Sequence, residues 1–181
     1  MKFNIGCGWR NFGKGWIHID GGDYDHLDSS DIYLKDYENG SGDLIYASHL
    51  IEYFDREEVV PLLKRWKNIL KANGVLRLAV PDFDVCAKLY TDGEYPLNSF
   101  LGVLYGKMPM GDKTIYHKTT YDYSSLTALL NEIGMRKVKK YNWKNTEHAQ
   151  FDDHSQAYLP DMDKENGTLI SLNNHKPFYD R

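Results

Sequence analysis

The chain has 181 residues, a length that favours one domain with a core large enough to stand without disulfides. Hydrophobic residues make up 41% and aromatics 14%, which excludes a disordered chain. Lys and Arg number 22 against 26 Asp and Glu, and this formal charge of −4 argues against nucleic acid as the main partner.

Residues 3–5 form the first strand candidate, closed by Gly6-Cys7-Gly8. Residues 16–19 form a second that ends at Asp20, and residues 31–34 a weaker third. The fourth and fifth, 44–47 and 75–80, have the continuous apolar character of strands buried on two faces. Between them Val59, Leu62, Leu63, Trp66, Ile69 and Leu70 recur at spacings of three and four, one apolar helical stripe. Asp55 and Glu58 read as its capping box and Asn73-Gly74 as its stop, while Pro61 predicts a bend or a start nearer Val60. Residues 93–120, rich in Gly, Pro and aromatics, read as a lid-like insertion. A second helix is expected over 124–133, stopped by Gly134, and two last strands over 137–143 and 168–172. Alternating strands and helices imply parallel βαβ units in a doubly wound α/β sheet. With the last two strands as an antiparallel edge pair, the sheet would be seven-stranded and mostly parallel. Residues 1–181 would form one domain.

Cys7 and Cys86 show no C-x-x-C spacing and read as two reduced thiols of a cytoplasmic protein. No run reaches the ~20 apolar residues of a membrane span, and no signal peptide precedes the first strand.

The densest signal is Asn4-Ile5-Gly6-Cys7-Gly8 followed by Trp16-Ile17-His18-Ile19-Asp20. Glycines after a first strand let backbone approach a ligand where a Cβ would collide. A carboxylate ending the second strand is placed to accept from a ribose diol. The pair points to an adenosine-type cofactor. A dinucleotide fingerprint would need a third glycine, where Asn11 stands, and a helix N-terminus for the pyrophosphate. Residues 9–15 are too short for that helix. S-adenosylmethionine (SAM) has no phosphate, so the turn suits SAM and not NAD.

With these residues, with 43–52 (Asp-Leu-Ile-Tyr-Ala-Ser-His-Leu-Ile-Glu) and with the helix ending in 69–74, the chain resembles the class I SAM-dependent methyltransferases. More narrowly, it is similar to small members whose first glycine loop runs almost directly into the second strand. Residues 152–158 and 167–173 carry the same resemblance. The chain departs from the family in its missing third glycine and in Tyr53, where a histidine often follows the Glu. The resemblance implies a Rossmann-like fold, with Gly6, Cys7 and Gly8 along the methionine end of SAM and Asp20 on the ribose. It puts Asp36 and Tyr37 at adenine, and Ser48 and His49 beside the reaction centre.

His49 otherwise reads as a capping or packing residue, His117 as part of the insertion, and Asp82 as a helix N-cap. All three are also the candidate catalytic groups for a hydroxyl acceptor. His148, Asp152, Asp153 and His154 match no metal-site spacing and read as a solvated polar loop, so no metal is expected. No Asn/Asp-Pro-Pro-Tyr follows the fourth strand, which disfavours amino-group methylation of adenine or glutamine. The resemblance then implies O-methylation of a sugar, a polysaccharide precursor or another small metabolite. Two alternatives stand beside it: a non-catalytic SAM-binding or interaction protein on the same fold, and an NAD-dependent or nucleotide-sugar enzyme.

Overall fold

The structure is a computed structural model that describes residues 1–162 and 165–175. Strands β1 (Lys2–Ile5), β2 (Ile17–Ile19) and β3 (Gly42–Ser48) precede helix α1 (Val59–Ile69), which runs into β4 (Leu70–Pro81). Helices α2 (Phe83–Thr91) and α3 (Asn98–Tyr105), a hairpin of β5 (Met108–Met110) and β6 (Lys113–Ile115), and α4 (Tyr123–Glu132) follow. The chain continues through β7 (Lys139–Lys140), β8 (Tyr158–Pro160), β9 (Gly167–Leu169) and β10 (Ser171–His175).

Among the described residues the main sheet has six strands, in the order β2-β1-β3-β4-β10-β7. The first four are mutually parallel, and β10 runs antiparallel between β4 and the two-residue β7. The sequence therefore overcounts. Residues 31–34 form turns, because Asp28 and Asp31 side chains accept the Ser30 and Tyr33 N–H groups within the loop. The Arg65 guanidinium then takes the carbonyls of Tyr33, Leu34 and Tyr37 at 2.8–2.9 Å, so no ladder is needed. The expected strand over 168–172 splits into β9, which pairs with β8, and β10 in the main sheet. Of 137–143 only Lys139–Lys140 pairs with β10, as an antiparallel partner.

Side chains alternate across each strand, and the two faces differ. Phe3, Ile5, Ile19, Ile45, Leu76, Leu78 and Val80 pack with α1 and α4 in the main core. The opposite face carries Asn4, His18, Tyr46 and Asn173, all buried and polar or aromatic. Aromatic loops cover it rather than a helix: Phe12 stacks on His148 at 5.1 Å and on Phe151 at 4.7 Å, and His148 lies 4.1 Å from Tyr46. The sheet is thus not doubly wound in the expected sense, since the β1–β2 connection is too short for a helix. His148 and Asp153 are buried in this layer, which corrects their reading as a solvated loop. Helices α2 and α3 build a second cluster with Ala157, Leu159 and Ile170.

The Asp55–Glu58 box forms, but it closes the turn ahead of α1, which starts at Val59 without a side-chain cap, near the later start that Pro61 predicts. Glu58 N–H donates to Asp55 Oδ1 at 2.8 Å, and Asp55 N–H to Glu58 Oε2 at 3.0 Å. Pro61 falls in the first turn, where its missing N–H has no intrahelical partner to lose. Asn73-Gly74 does not stop the helix. It lies inside β4, where a Cβ on Gly74 would come within 2.9 Å of the Gly42 carbonyl oxygen. Helix α4 ends before Gly134 as expected and begins on a reciprocal Asp122–Ser125 box with bonds of 2.7 and 3.0 Å. Asp122→Ala should cost about 1 kcal/mol of stability in urea titrations, and an unchanged midpoint would assign this helix start to packing alone. No helix among the described residues is long and apolar enough to cross a membrane.

Candidate functional site

Strand order reverses between β1 and β3: from β1 the chain steps outward to β2, then crosses back to the other side. Such a switch point opens a crevice at the carboxyl ends of the strands. A cavity of about 480 Å³ lies there, within the ~300–1,000 Å³ of small-molecule sites. Gly6, Cys7 and Gly8 line it after β1, Asp20 after β2, and Ser48 and His49 after β3.

The glycine turn is held from its neighbours. Gly6 N–H donates to the Ile19 carbonyl at 2.7 Å, and Gly8 N–H to Asp20 Oδ2 at 2.7 Å. The other carboxylate oxygen accepts from Gly22 N–H at 2.8 Å. Gly6 and Gly8 have φ of +73° and +56°, the left-handed region where a side chain is strained. Asp20 therefore shapes two loops and still presents unused lone pairs to the cavity. Cys7 is a buried free thiol, pushed up to about 12 by burial and by the Asp20 charge.

One wall is the β5–β6 hairpin, which comes from the region read as a lid-like insertion and contributes Met108, Met110 and Ile115. Met110 reaches across to Gly21, where a Cβ would lie 2.8 Å from its sulfur. Tyr24 and Ile32 complete that end. Asp36 and Tyr37 do not reach the cavity; the Tyr37 ring packs edge-on against Phe3 at 4.9 Å. With no strand at 31–34, nothing carries them to the sheet edge.

At the other end His49 lines the cavity with φ +49°, an uncommon conformation for a residue with a side chain. Its N–H donates to the Ala79 carbonyl, its Nε2 lies 3.3 Å from Ser171 Oγ, and its ring sits 5.4 Å from that of His154. Burial and the neighbouring His154 and His117 hold it well below the usual imidazole range. His117 and Asp82 are not in the wall. His117 faces a separate hollow and touches Tyr53, while Asp82 begins α2 with Lys140 3.7 Å away. Ser48 Oγ and Asn4 Nδ2 line the cavity buried and without a hydrogen-bond partner among the described residues.

Sequence reasoning passed over Glu52. It is fully buried behind the wall, 3.5 Å from His49 Nδ1 and 3.8 Å from His117 Nε2. Neither carboxyl oxygen has a hydrogen-bond partner among the described residues, and burial pushes its pKa to about 8. The available signal was one acid inside the apolar run Leu50-Ile51-Glu52-Tyr53-Phe54, three residues from His49.

No protein-family model matches the chain, and no curated protein matches it. Solved structures do. A SAM-dependent methyltransferase from Archaeoglobus fulgidus matches 96% of this chain and 82% of its own, at 18% identity and a TM-score of 0.53. A SAM-dependent methyltransferase from Thermotoga maritima, described as a possible histamine N-methyltransferase, matches 98% of this chain and 82% of its own, at 13% identity and a TM-score of 0.56. The complex of DhpI with S-adenosylhomocysteine (SAH) matches 99% of this chain and 77% of its own, at 9% identity and a TM-score of 0.54. A six-stranded mixed sheet with its crevice between β1 and β3 thus has the α/β fold of SAM-dependent methyltransferases.

Proposed function

We propose that the chain binds SAM at the glycine turn and transfers its methyl group to a hydroxyl of a small molecule, a sugar or another metabolite. One observation carries this reading. Gly6-Cys7-Gly8 and Asp20 end adjacent parallel strands over a cavity of about 480 Å³, and Asp20 Oδ2 accepts from the turn's own Gly8 N–H. The residues fit the group. The turn offers backbone without Cβ atoms, Asp20 has lone pairs for a ribose diol, and the apolar end between Ile32, Tyr24 and Met110 suits a purine. In this reading adenine lies against these residues, and Asp36 and Tyr37 stay outside the cavity.

Bound SAM supplies an electrophilic methyl on a sulfonium. The chain's part is to align an acceptor and take its proton, and alignment contributes up to ~7–11 kcal/mol of the barrier. Of His49, His117 and Asp82, His49 alone lines the cavity, so it is the base in this reading. His117 stands behind it, across Glu52, and Asp82 has no part in this reading.

Calorimetry with SAM and SAH tests the proposal directly, and absence of heat with both would overturn it. Asp20→Ala should weaken SAM binding on the order of tenfold to several hundredfold, because charge-assisted bonds to ribose hydroxyls are each worth roughly 1.5–3 kcal/mol. Part of that loss will come from freeing the Gly8 and Gly22 N–H groups. Asp20→Asn keeps an acceptor for one of them and should fall between wild type and the alanine variant. Equal affinity in all three would take Asp20 out of the site.

A further inference from the structure

The hydrogen-bond chain around His49 determines where its proton sits. Asn173 Nδ2 donates to the Ser155 carbonyl at 3.1 Å, which turns Asn173 Oδ1 towards Ser171. Ser171 spends its one proton on that oxygen, at 3.2 Å. Its Oγ can then only accept from His49; with Nε2 as that donor, Nδ1 is the lone pair facing Glu52, and the His154 backbone carbonyl is a second acceptor beside the ring. The same reasoning fixes His117. Its Nδ1 lies 3.1 Å from the Val103 carbonyl, which can only accept, so its Nε2 is also a lone pair aimed at Glu52.

Both lone pairs meet the same Glu52 oxygen, Oε1, in a spot with no access to solvent. A carboxylate would repel them. A neutral carboxyl removes that repulsion and has one proton to turn towards one of the two lone pairs at a time. The groups facing it from each packed element agree: His49 at the end of β3, His117 from the segment after the hairpin, Tyr53 on its own turn and Tyr121 ahead of α4. None is a cation. The Glu52 backbone carbonyl accepts from Lys118 and Thr119 N–H, which ties the His117 segment to it.

We propose that Glu52 is a positioning residue that selects the nitrogen of His49 carrying the proton. Neutral Glu52 holds His49 as the Nε2–H tautomer, and ionised Glu52 draws the hydrogen to Nδ1 while Ser171 turns its own proton from Asn173 towards the Nε2 lone pair. On ionisation the Glu52 proton leaves for solvent, and His49 keeps one hydrogen, moved from one nitrogen to the other. Nε2 then takes the acceptor's hydroxyl proton as the oxygen gains its methyl group, and the imidazolium formed faces a carboxylate. This consequence rests on the methyltransferase reading; the tautomer change itself does not.

Long-range proton–nitrogen correlation spectra of the histidine-labelled protein from pH 6 to 10 test it. In wild type, His49 should pass from the Nε2–H to the Nδ1–H pattern with a midpoint near pH 8. His117 should report the same midpoint without changing tautomer. In Glu52→Gln, whose amide donates as the neutral acid does but cannot ionise, His49 should stay Nε2–H throughout. A single His49 tautomer across the range in wild type overturns the proposal, as does an unchanged titration in the variant. Calorimetry with SAM on the same samples judges the methyltransferase reading separately.

Discussion

Replacing His49 by Asn should lower kcat by about 10²–10⁴ at pH 8.5 and leave the SAM dissociation constant near wild type. The choice of Asn follows from the backbone. His49 sits at φ +49°, and Asn, with Asp, is among the side-chain-bearing residues that most readily adopt the left-handed region. The His49 N–H bond to Ala79 should therefore survive, and with it the junction of β3 and the cavity. What disappears is an imidazole able to accept a proton. His117→Asn should cost less, because His117 reaches the cavity only through Glu52 and His49. The assay needs a hydroxyl acceptor, found by screening for SAM-dependent production of SAH. Full turnover by the His49 variant would leave catalysis to alignment alone. A loss of SAM affinity equal to the loss of rate would instead mean that His49 holds the cofactor.

The glycine turn and its acid were legible because everything that defines them is local. Gly6, Gly8 and Asp20 lie within fifteen residues, and the parallel pairing of β1 and β2 follows from their apolar patterns. The Asp55–Glu58 box was legible for the same reason, since it closes over three residues, although α1 itself starts one turn later at Val59. Residues 31–34 misled because the competing bonds come from a distance. Arg65, on α1, reaches three carbonyls of the 33–37 loop, and the Trp66 Nε1–H takes that of Ile32 at 2.7 Å. Nothing near residue 31 announces that its backbone will be satisfied by a helix more than thirty residues on. With that strand missing, Asp36 and Tyr37, expected at adenine, lie outside the cavity wall. The covered polar face was illegible for a related reason. His148 and Asp153 look like surface residues until the aromatic loop at Phe12 closes over them. Glu52 is the sharpest case. Its identity was in plain view, but its meaning depends on burial and on His117, sixty-five residues away.

That burial should be readable as a stability cost that grows with pH. Folded, Glu52 keeps its proton up to about pH 8; unfolded, it gives the proton up around its usual 4.5. Between those values the unfolded chain binds fewer protons, so stability from this group falls as pH rises and levels off above pH 8. At about 1.4 kcal/mol per pH unit, the whole span is on the order of 4–5 kcal/mol. The imidazoles work in the opposite sense. His49, His117 and His148 are held neutral by burial, so they cost stability as pH falls through the usual imidazole value of 6.5. Above pH 6.5 they are neutral in both states, and Glu52 dominates this cluster's contribution. Glu52→Gln removes the ionisation and keeps the shape. Urea unfolding at pH 6.5 and pH 8.5 should show the variant gaining about 2 kcal/mol on wild type over that interval, whatever its offset at the lower pH. Parallel behaviour of the two proteins would mean that Glu52 is already ionised in the fold. His49 would then keep its hydrogen on Nδ1 at neutral pH, with Nε2 open to the acceptor from the start.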